Sequence, residues 1–347
     1  MAVTIEEIAR RAGVSRGTVD RALHKRGRIR PEVAENIRKI AEEMGYKIRP
    51  RKTSGRSGTG SGESIKIGVV TQLTKSAFMI QVNQGIQDAG SLLKERGARL
   101  LCRNIDTIDE EKQLAVIDEL VKEGIDGLAL MPIQCESIRA RLNQLSEERG
   151  IPVITFNSDI VGTGRTCFVG LDNKQSGRAA AGLMGMMTRG QGKILAVTGY
   201  FTNSVNSLRI EGFVREMKET WPQTEILGVQ SSFDDAGEME KIVINTMTMV
   251  PDLAGIFVAS AGQEGVWRAF EQLGIPAGRR PGVIVYDLTR ENVRALEEGW
   301  ADFLIDQEAY VQGNLPPKLL FDILARDKWP QEEFLFTEIN IKTRYNL

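Results

Sequence analysis

Residues 4–23, TIEEIARRAGVSRGTVDRAL, read as two short helices joined by a tight turn. Thr4 is placed to cap the first helix, with Glu7 three residues on as its capping-box partner. Ile5, Ile8, Ala9 and Ala12 recur at helical spacing, so one face is apolar. Gly13 stands where a chain leaves a helix through a left-handed residue. Ser15 is suited to cap a second helix. That helix carries Arg16, Thr18 and Arg21 outward and leaves Val19, Ala22 and Leu23 for packing. Two helices around a glycine turn, the second beginning with basic and hydroxyl groups, make the helix-turn-helix pattern.

Working outward, residues 24–31, HKRGRIRP, form a basic loop that includes His24 and Arg28. Pro31 then suits the first turn of a third helix. Val33, Ile37, Ile40, Ala41 and Met44 supply its apolar stripe, and Gly45 ends it. Residues 1–49 are thus expected to be a small all-α domain, and residues 50–64 a tether. The run RKTSGRSGTGSGES at 51–64 holds glycine, serine and basic residues with nothing to bury, so a flexible segment spanning roughly 20 Å is expected. Residues 1–62 carry fifteen Lys and Arg against seven Asp and Glu, a surplus of eight positive charges. The whole chain has a net charge of −1, so the remainder carries −9. A basic domain on a mildly acidic body fits a nucleic-acid binder with a separate regulatory module.

From Ile65 to residue 347 strand-like apolar runs alternate with amphipathic helices. The order is IKIGVVTQL, helix 77–96, ARLLCRNI, helix 109–123, IDGLALMP, helix 136–149 and IPVITFNSD. A second series follows from TCFVGLDN through KILAVTGYF, EILGVQSSF, LAGIFVAS, GVIVYDL and ADFLIDQ, closing with helix 309–325 and a strand FLFTEINI. Such alternation means parallel sheets covered by helices on both faces. More than ten strands exceed one ordinary sheet. The expected fold class is α/β, a body of two doubly wound parallel sheets beside the helix-turn-helix domain. One lobe is expected at about 65–160 and 308–328, the other at about 161–305 and 333–347. Ligands bind beyond the carboxyl ends of such strands. Those ends offer Thr71, Gln72, Asn157, Asp159, Asp172, Asn173, Tyr200 to Asn203, Ser260, Asp287 and Gln307. Neutral polar and acidic groups suit a polyhydroxylated ligand and suit a phosphate poorly.

Catalytic signatures are not found. There is no GxxxxGK[ST], and no GxGxxG follows a strand. His24 is the single histidine and lies in the basic domain, so no Ser-His-Asp, Cys-His or histidine-zinc site can be assembled in the body. Asp106 with Asp109, and Asp234 with Asp235, read as helix caps and first-turn acids. No catalytic residue, metal site or cofactor is expected. Cys102, Cys135 and Cys167 lack metal spacing and read as buried free thiols. The apolar runs are strand-length, so no transmembrane span is expected. Glu6, Glu7, Arg10 and Arg11 interrupt any signal-peptide core, which implies a cytoplasmic protein.

Taken together, TIEEIARRAGVSRGTVDRAL, the third helix ending MGY and the two-lobed body resemble the lactose-repressor (LacI/GalR) family of transcription regulators. Within the body, VITFNSD, VGLDN, the Arg-x-x-Gly-Phe at Arg209–Phe213, VYD and the later glutamine resemble ribose-type periplasmic binding proteins. The resemblance implies a homodimer on a pseudo-palindromic operator, with a small effector held between the lobes. It places Arg16 and Gly17 at base-reading positions with Arg21 beside them, and Ser15 and Thr18 against phosphate. Thr4, His24 and Arg28 complete that set, and Arg49 and Arg51 track the backbone or a narrow minor groove. The family's Asn-x-x-Ala-Arg-x-Leu hinge helix is replaced here by Ile48-Arg49-Pro50-Arg51 and the Gly/Ser run. In the body the resemblance points to Thr71, Thr74, Phe78, Asn157, Ser158, Asp287 and Gln307 as effector contacts. Ser207 aligns with an expected arginine, leaving Arg209 as the nearest cation, and Ser260-Ala261 replaces an expected Asn-Asp. The implied function is a repressor, rather than an activator, controlled by a sugar, polyol or other small polar molecule. The rival readings are a solute receptor for transport and a sugar-acting α/β enzyme.

Overall fold

A computed structural model describes residues 5–14, 16–23, 29–46, 64–73 and 76–347. The expected roles of Thr4, Ser15, His24, Arg28, Arg49, Arg51 and Thr74 fall outside the described residues, as does the tether. The helix-turn-helix residues form α1 (Ile5–Ala12) and α2 (Arg16–Leu23), followed by α3 (Pro31–Glu43). Gly13 leaves α1 with φ of 65°, the left-handed conformation that glycine adopts without steric cost. The helices close on a core of Ile8, Val19 and Ile37, all fully buried, ringed by Ala9, Ala22, Leu23, Ala34 and Ala41. Arg38 Nε donates to the Ala22 carbonyl at 3.2 Å and ties α3 to the end of α2. Thr18 and Gly17 lie half-buried on α2.

The body begins with β1 (Ile65–Gln72), α4 (Ala77–Glu95), β2 (Ala98–Ile105), α5 (Glu110–Lys122), β3 (Gly127–Leu130), α6 (Glu136–Glu147), β4 (Val153–Phe156) and β5 (Cys167–Leu171). It continues through α7 (Asn173–Thr188), β6 (Gly192–Thr198), α8 (Ser204–Thr220), β7 (Thr224–Ser231), α9 (Ala236–Met249), β8 (Leu253–Val258) and α10 (Glu264–Gln272). The last elements are β9 (Gly282–Tyr286), α11 (Arg290–Glu298), β10 (Phe303–Asp306), α12 (Ala309–Arg326), β11 (Phe334–Thr337) and β12 (Asn340–Lys342). They form two six-stranded sheets, ordered β11-β5-β4-β3-β1-β2 and β12-β10-β9-β8-β6-β7. The inner pairs are parallel and β12 runs antiparallel to β10. Every residue of β3, β4 and β5 is buried, as a parallel strand covered on both faces requires.

The chain divides into two compact units, Met1–Gly170 with Tyr310–Phe336, and Leu171–Ala309 with Thr337–Leu347. Two details differ from the sequence expectation. The strand CFVGL, expected to open the second lobe, pairs in parallel with β4 of the first sheet. The closing FLFTEINI is two strands, divided between the sheets. Packing explains the break. Phe334 and Phe336 stack with ring centroids 5.5 Å apart and meet the edge of Phe168 on β5, whereas Ile339 and Ile341 pack into the second unit's core. All three cysteines are free thiols, but their setting varies. Cys167 is buried, Cys135 half-buried and Cys102 exposed at its alternate position on β2.

Candidate functional site

Backbone geometry marks the strand ends. Eight described non-glycine residues have positive φ, and six lie within three residues of the carboxyl ends of strands. These are Leu73 after β1, Asn157 after β4, Phe233 and Asp234 after β7, Asp287 after β9 and Glu308 after β10. The other two, Arg189 and Asp327, end helices. Left-handed backbone is costly for residues with a Cβ, about 1–3 kcal/mol each, and concentrates where a site needs side chains aimed in a particular direction.

In the second unit the strand ends converge on Arg209. Its position is set by close helix packing. A Cβ on Gly177 of α7 would lie 2.0 Å from the Arg209 carbonyl oxygen, and one on Gly212 of α8 would lie 2.0 Å from that of Lys174. The glycines let the two helix backbones touch, so α8 lies low enough for its Arg209 to reach over the sheet. Gly177→Ala is therefore expected to lower stability by about 1–3 kcal/mol in urea unfolding, the range for overpacked cores.

Arg209 is 3% exposed and all three guanidinium nitrogens donate. Nε bonds Asn173 Oδ1 at 2.9 Å, Nη1 the Ala259 carbonyl at 3.0 Å and Nη2 Gln307 Oε1 at 2.9 Å. The guanidinium lies 3.9 Å over the Tyr286 ring, a cation–π contact. Gln307 turns its amide nitrogen to Asp287 Oδ1. Asn292 Nδ2 donates to the carbonyls of Tyr286 and Asp287 at 2.9 and 3.0 Å, fixing the turn that aims the Asp287 side chain. The Tyr286 hydroxyl shares a hydrogen bond of 2.8 Å with Ser176.

The electrostatics follow from burial. Desolvation pulls the Arg209 pKa below the ordinary arginine value, opposed by Tyr286, Asp287 and Asp234. Burial pushes Asp287 above the usual carboxylate range, against the pull of Arg209 and the Gln307 amide. Burial also pushes the Tyr286 hydroxyl up to about 12. Arginine keeps its proton in any protein setting. The result is a cation with three of its five N–H groups engaged, beside an Asp287 carboxylate with acceptor capacity left over.

The first unit offers neutral groups. Thr71 Oγ1 donates to Asn104 Oδ1 at 2.7 Å, and Asn157 Nδ2 to Gln312 Oε1 at 3.1 Å. Ser158 is buried with its hydroxyl on the Pro132 carbonyl at 2.8 Å. Gln72 is 8% exposed, and its Oε1 is buried with no hydrogen-bond partner among the described residues. Phe78 lies half-buried on the first turn of α4. Asp159 is held in a buried pair with Arg165, Oδ1 to Nε at 2.6 Å.

The expected residues thus separate. Arg209, Asp287 and Gln307 form one cluster. Ser207 does not join it: it is exposed on α8, with its hydroxyl donating to the Phe201 carbonyl at 2.8 Å. Ser260 is buried in its own turn, 3.5 Å from the Ala261 carbonyl. Asn104, Asn292 and Gln312 were not anticipated as site residues. Asp109 and Asp235 cap α5 and α9 as expected, but Asp234 does not cap a helix. Its positive φ turns the carboxylate to the Ala261 amide at 3.1 Å, toward Arg209. Among the described residues no group of His, Cys, Asp or Glu could hold a metal, and no helix is long and apolar enough to cross a membrane.

Comparison with known proteins agrees with this architecture. Residues 67–328 match the family described as Periplasmic binding protein domain, and residues 4–48 match the family described as Bacterial regulatory proteins, lacI family. The chain is 28% identical over 258 residues to the HTH-type transcriptional regulator GntR of Pseudomonas aeruginosa, covering 73% of this chain and 70% of that one. It is 22% identical over 342 residues to catabolite control protein A of Streptococcus mutans, covering 96% and 95%. A solved structure of an ABC transporter solute binding protein from Burkholderia graminis, in complex with D-arabinose, superposes with a TM-score of 0.75 at 23% identity, covering 83% of this chain and 98% of that one. That last likeness is one of fold.

Proposed function

The chain belongs to the periplasmic binding protein domain family and carries the helix-turn-helix head of the bacterial lacI regulators, and on that premise we propose that it is a transcriptional repressor controlled by a small polar effector. One observation carries the reading: a lacI-type head at 4–48 and a solute-binding body at 67–328 lie on one chain. The head binds operator DNA, the body receives the effector at its strand ends, and no bond of the effector is made or broken. The chain acts in the cytoplasm as a homodimer on a pseudo-palindromic site, since symmetric half-sites match a two-fold protein. Effector binding changes DNA affinity by shifting the population of body conformations.

The effector is a neutral sugar or polyol. Asp287 supplies acceptor capacity for hydroxyls, and Arg209, three of whose N–H groups are engaged and whose charge lies beside Asp287, gains little from an added anion. A thermal-shift screen of the full chain against pentoses, hexoses, polyols and their phosphates tests this. A ligand at about 100 times its Kd stabilises by about 2.7 kcal/mol, which raises Tm by several degrees. A neutral member is expected to give that rise, and Asp287→Ala to abolish it. A response to phosphates alone would contradict the reading.

A further inference from the structure

We infer that the body carries a competitor for DNA: Glu333 docks its carboxylate on the first turn of α2 and must leave before that helix can enter a groove. The regulator reading supplies only the role of α2; the docking goes beyond it.

The head, β5 and Glu333, which immediately precedes β11, belong to one compact unit. Within it the Glu333 carboxylate lies against Gly17. A Cβ on that glycine would stand 3.2 Å from Oε2 and 3.6 Å from Oε1. Gly17 and Thr18, the positions that the resemblance turns toward DNA, are half-buried. α2 has no acidic residue in its own first turn. The N–H groups at a helix start have no partner within the helix, and with the helix dipole they favour an anion, phosphate or carboxylate alike. Residues 1–62 also carry their surplus of eight positive charges, which draws a carboxylate of the body toward the head.

Glu333 sits on a rigid seat. Its carbonyl accepts from the Phe168 N–H at 2.8 Å, which fastens it to β5. Its Oε1 lies 3.4 Å from Nη1 of Arg165, whose side chain is 1% exposed. Asp159 grips the same guanidinium through Nε and Nη2, both at 2.6 Å, and the Phe334 ring lies 5.0 Å from it. Arg165 is thereby fixed, and its third nitrogen holds Glu333 at α2. A duplex on the first turn of α2 brings phosphates and base edges into the volume that this carboxylate occupies. The docked and DNA-bound heads therefore exclude each other, and the apparent affinity for DNA is the intrinsic one scaled by the undocked fraction.

Two measurements on the full-length protein test this. In the first, Gly17→Cys is combined with Glu333→Cys, and the DNA-free protein is treated with a short bis-maleimide and mapped by peptide mass spectrometry. A link between positions 17 and 333 is expected, in preference to links from either to Cys102, the exposed native thiol. In the second, fluorescence anisotropy follows binding to a random-sequence duplex. Glu333→Gln should bind about threefold to fivefold more tightly than the parent. Glu332→Gln removes the same charge from an exposed neighbour and should leave the affinity unchanged. Absence of the 17–333 link overturns the docking. Equal affinities in the two glutamine variants overturn the competition. Failure of every variant and the parent to bind duplex overturns the DNA role of the head, and the competition with it, while the cross-link still decides whether Glu333 docks.

Discussion

Arg209→Met is expected to cost the second unit about 3–5 kcal/mol of stability and to abolish effector binding. The side chain is close in length, so lost volume is not the main cause. The guanidinium donates to Asn173, Ala259 and Gln307 and lies beside the buried Asp287. Its removal leaves a buried carboxylate uncompensated, the situation in which breaking one half of a charge pair is most damaging. Urea unfolding followed by intrinsic fluorescence measures the loss. Two further readouts separate this mechanism from a general packing defect. Adding Asp287→Asn to Arg209→Met should recover part of the stability, because the stranded charge is gone. Acidification should narrow the gap between variant and parent. Burial already holds Asp287 above the usual range while Arg209 pulls it down, so the variant's carboxyl titrates higher still. Below that raised pKa the carboxyl is neutral and the penalty disappears; as pH rises through it the penalty returns. A loss under about 1 kcal/mol, or a gap insensitive to pH, would contradict the assignment.

Arg16→Ala is expected to weaken specific operator binding about 10- to 100-fold while leaving the effector's thermal shift unchanged. Arg16 is the first residue of α2, and we propose a base-reading role for it from the resemblance of this head to the lacI regulators. A bidentate arginine–guanine contact discriminates by about 1–3 kcal/mol. Gly17, next to it, has no side chain with which to read a base, so Arg16 carries more of the selectivity than either neighbour. The head has its own core of Ile8, Val19 and Ile37, so the substitution leaves the body intact. Equal operator affinity in the variant and the parent would remove Arg16 from the interface.

Much of the fold was legible because the relevant physics is local. Runs such as Ile67–Val70 and Ile194–Val197 are continuous and apolar, which distinguishes a buried parallel strand from an amphipathic one. Asp109 and Asp235 declared helix starts through the spacing between a short acceptor and the next free amides. Sheet membership was not legible: CFVGL is apolar throughout and carries nothing that selects one parallel partner over another. The close of the chain is ambiguous in sequence for a related reason. FLFTEINI has the pattern of one strand, and its division at Thr337 depends on Phe168, far away in sequence.

The site was legible at its strand ends and illegible in its connections. Ser207 and Arg209 are two residues apart on α8, about 200° around the helix, so one faces solvent and the other the sheet. Nothing local said which. The partners of Arg209 come from positions 173, 259 and 307, and only the fold brings them together. Asp234 and Asp235 are equally acidic neighbours. A left-handed backbone separates them, sending one toward Arg209 and leaving the other as a cap.

The central claim is that one chain reads DNA and answers to a small polar ligand. It is tested most directly by selecting duplexes from a random pool with the full-length protein and titrating the enriched sequence at several salt concentrations, with and without the neutral sugar or polyol found by thermal shift. A two-fold symmetric consensus is expected, with an affinity that falls steeply with salt as phosphate contacts release counterions and that shifts at least about fivefold when the effector is added. A pool that emerges without enrichment, or an affinity for the selected duplex that is the same with and without effector, would contradict it.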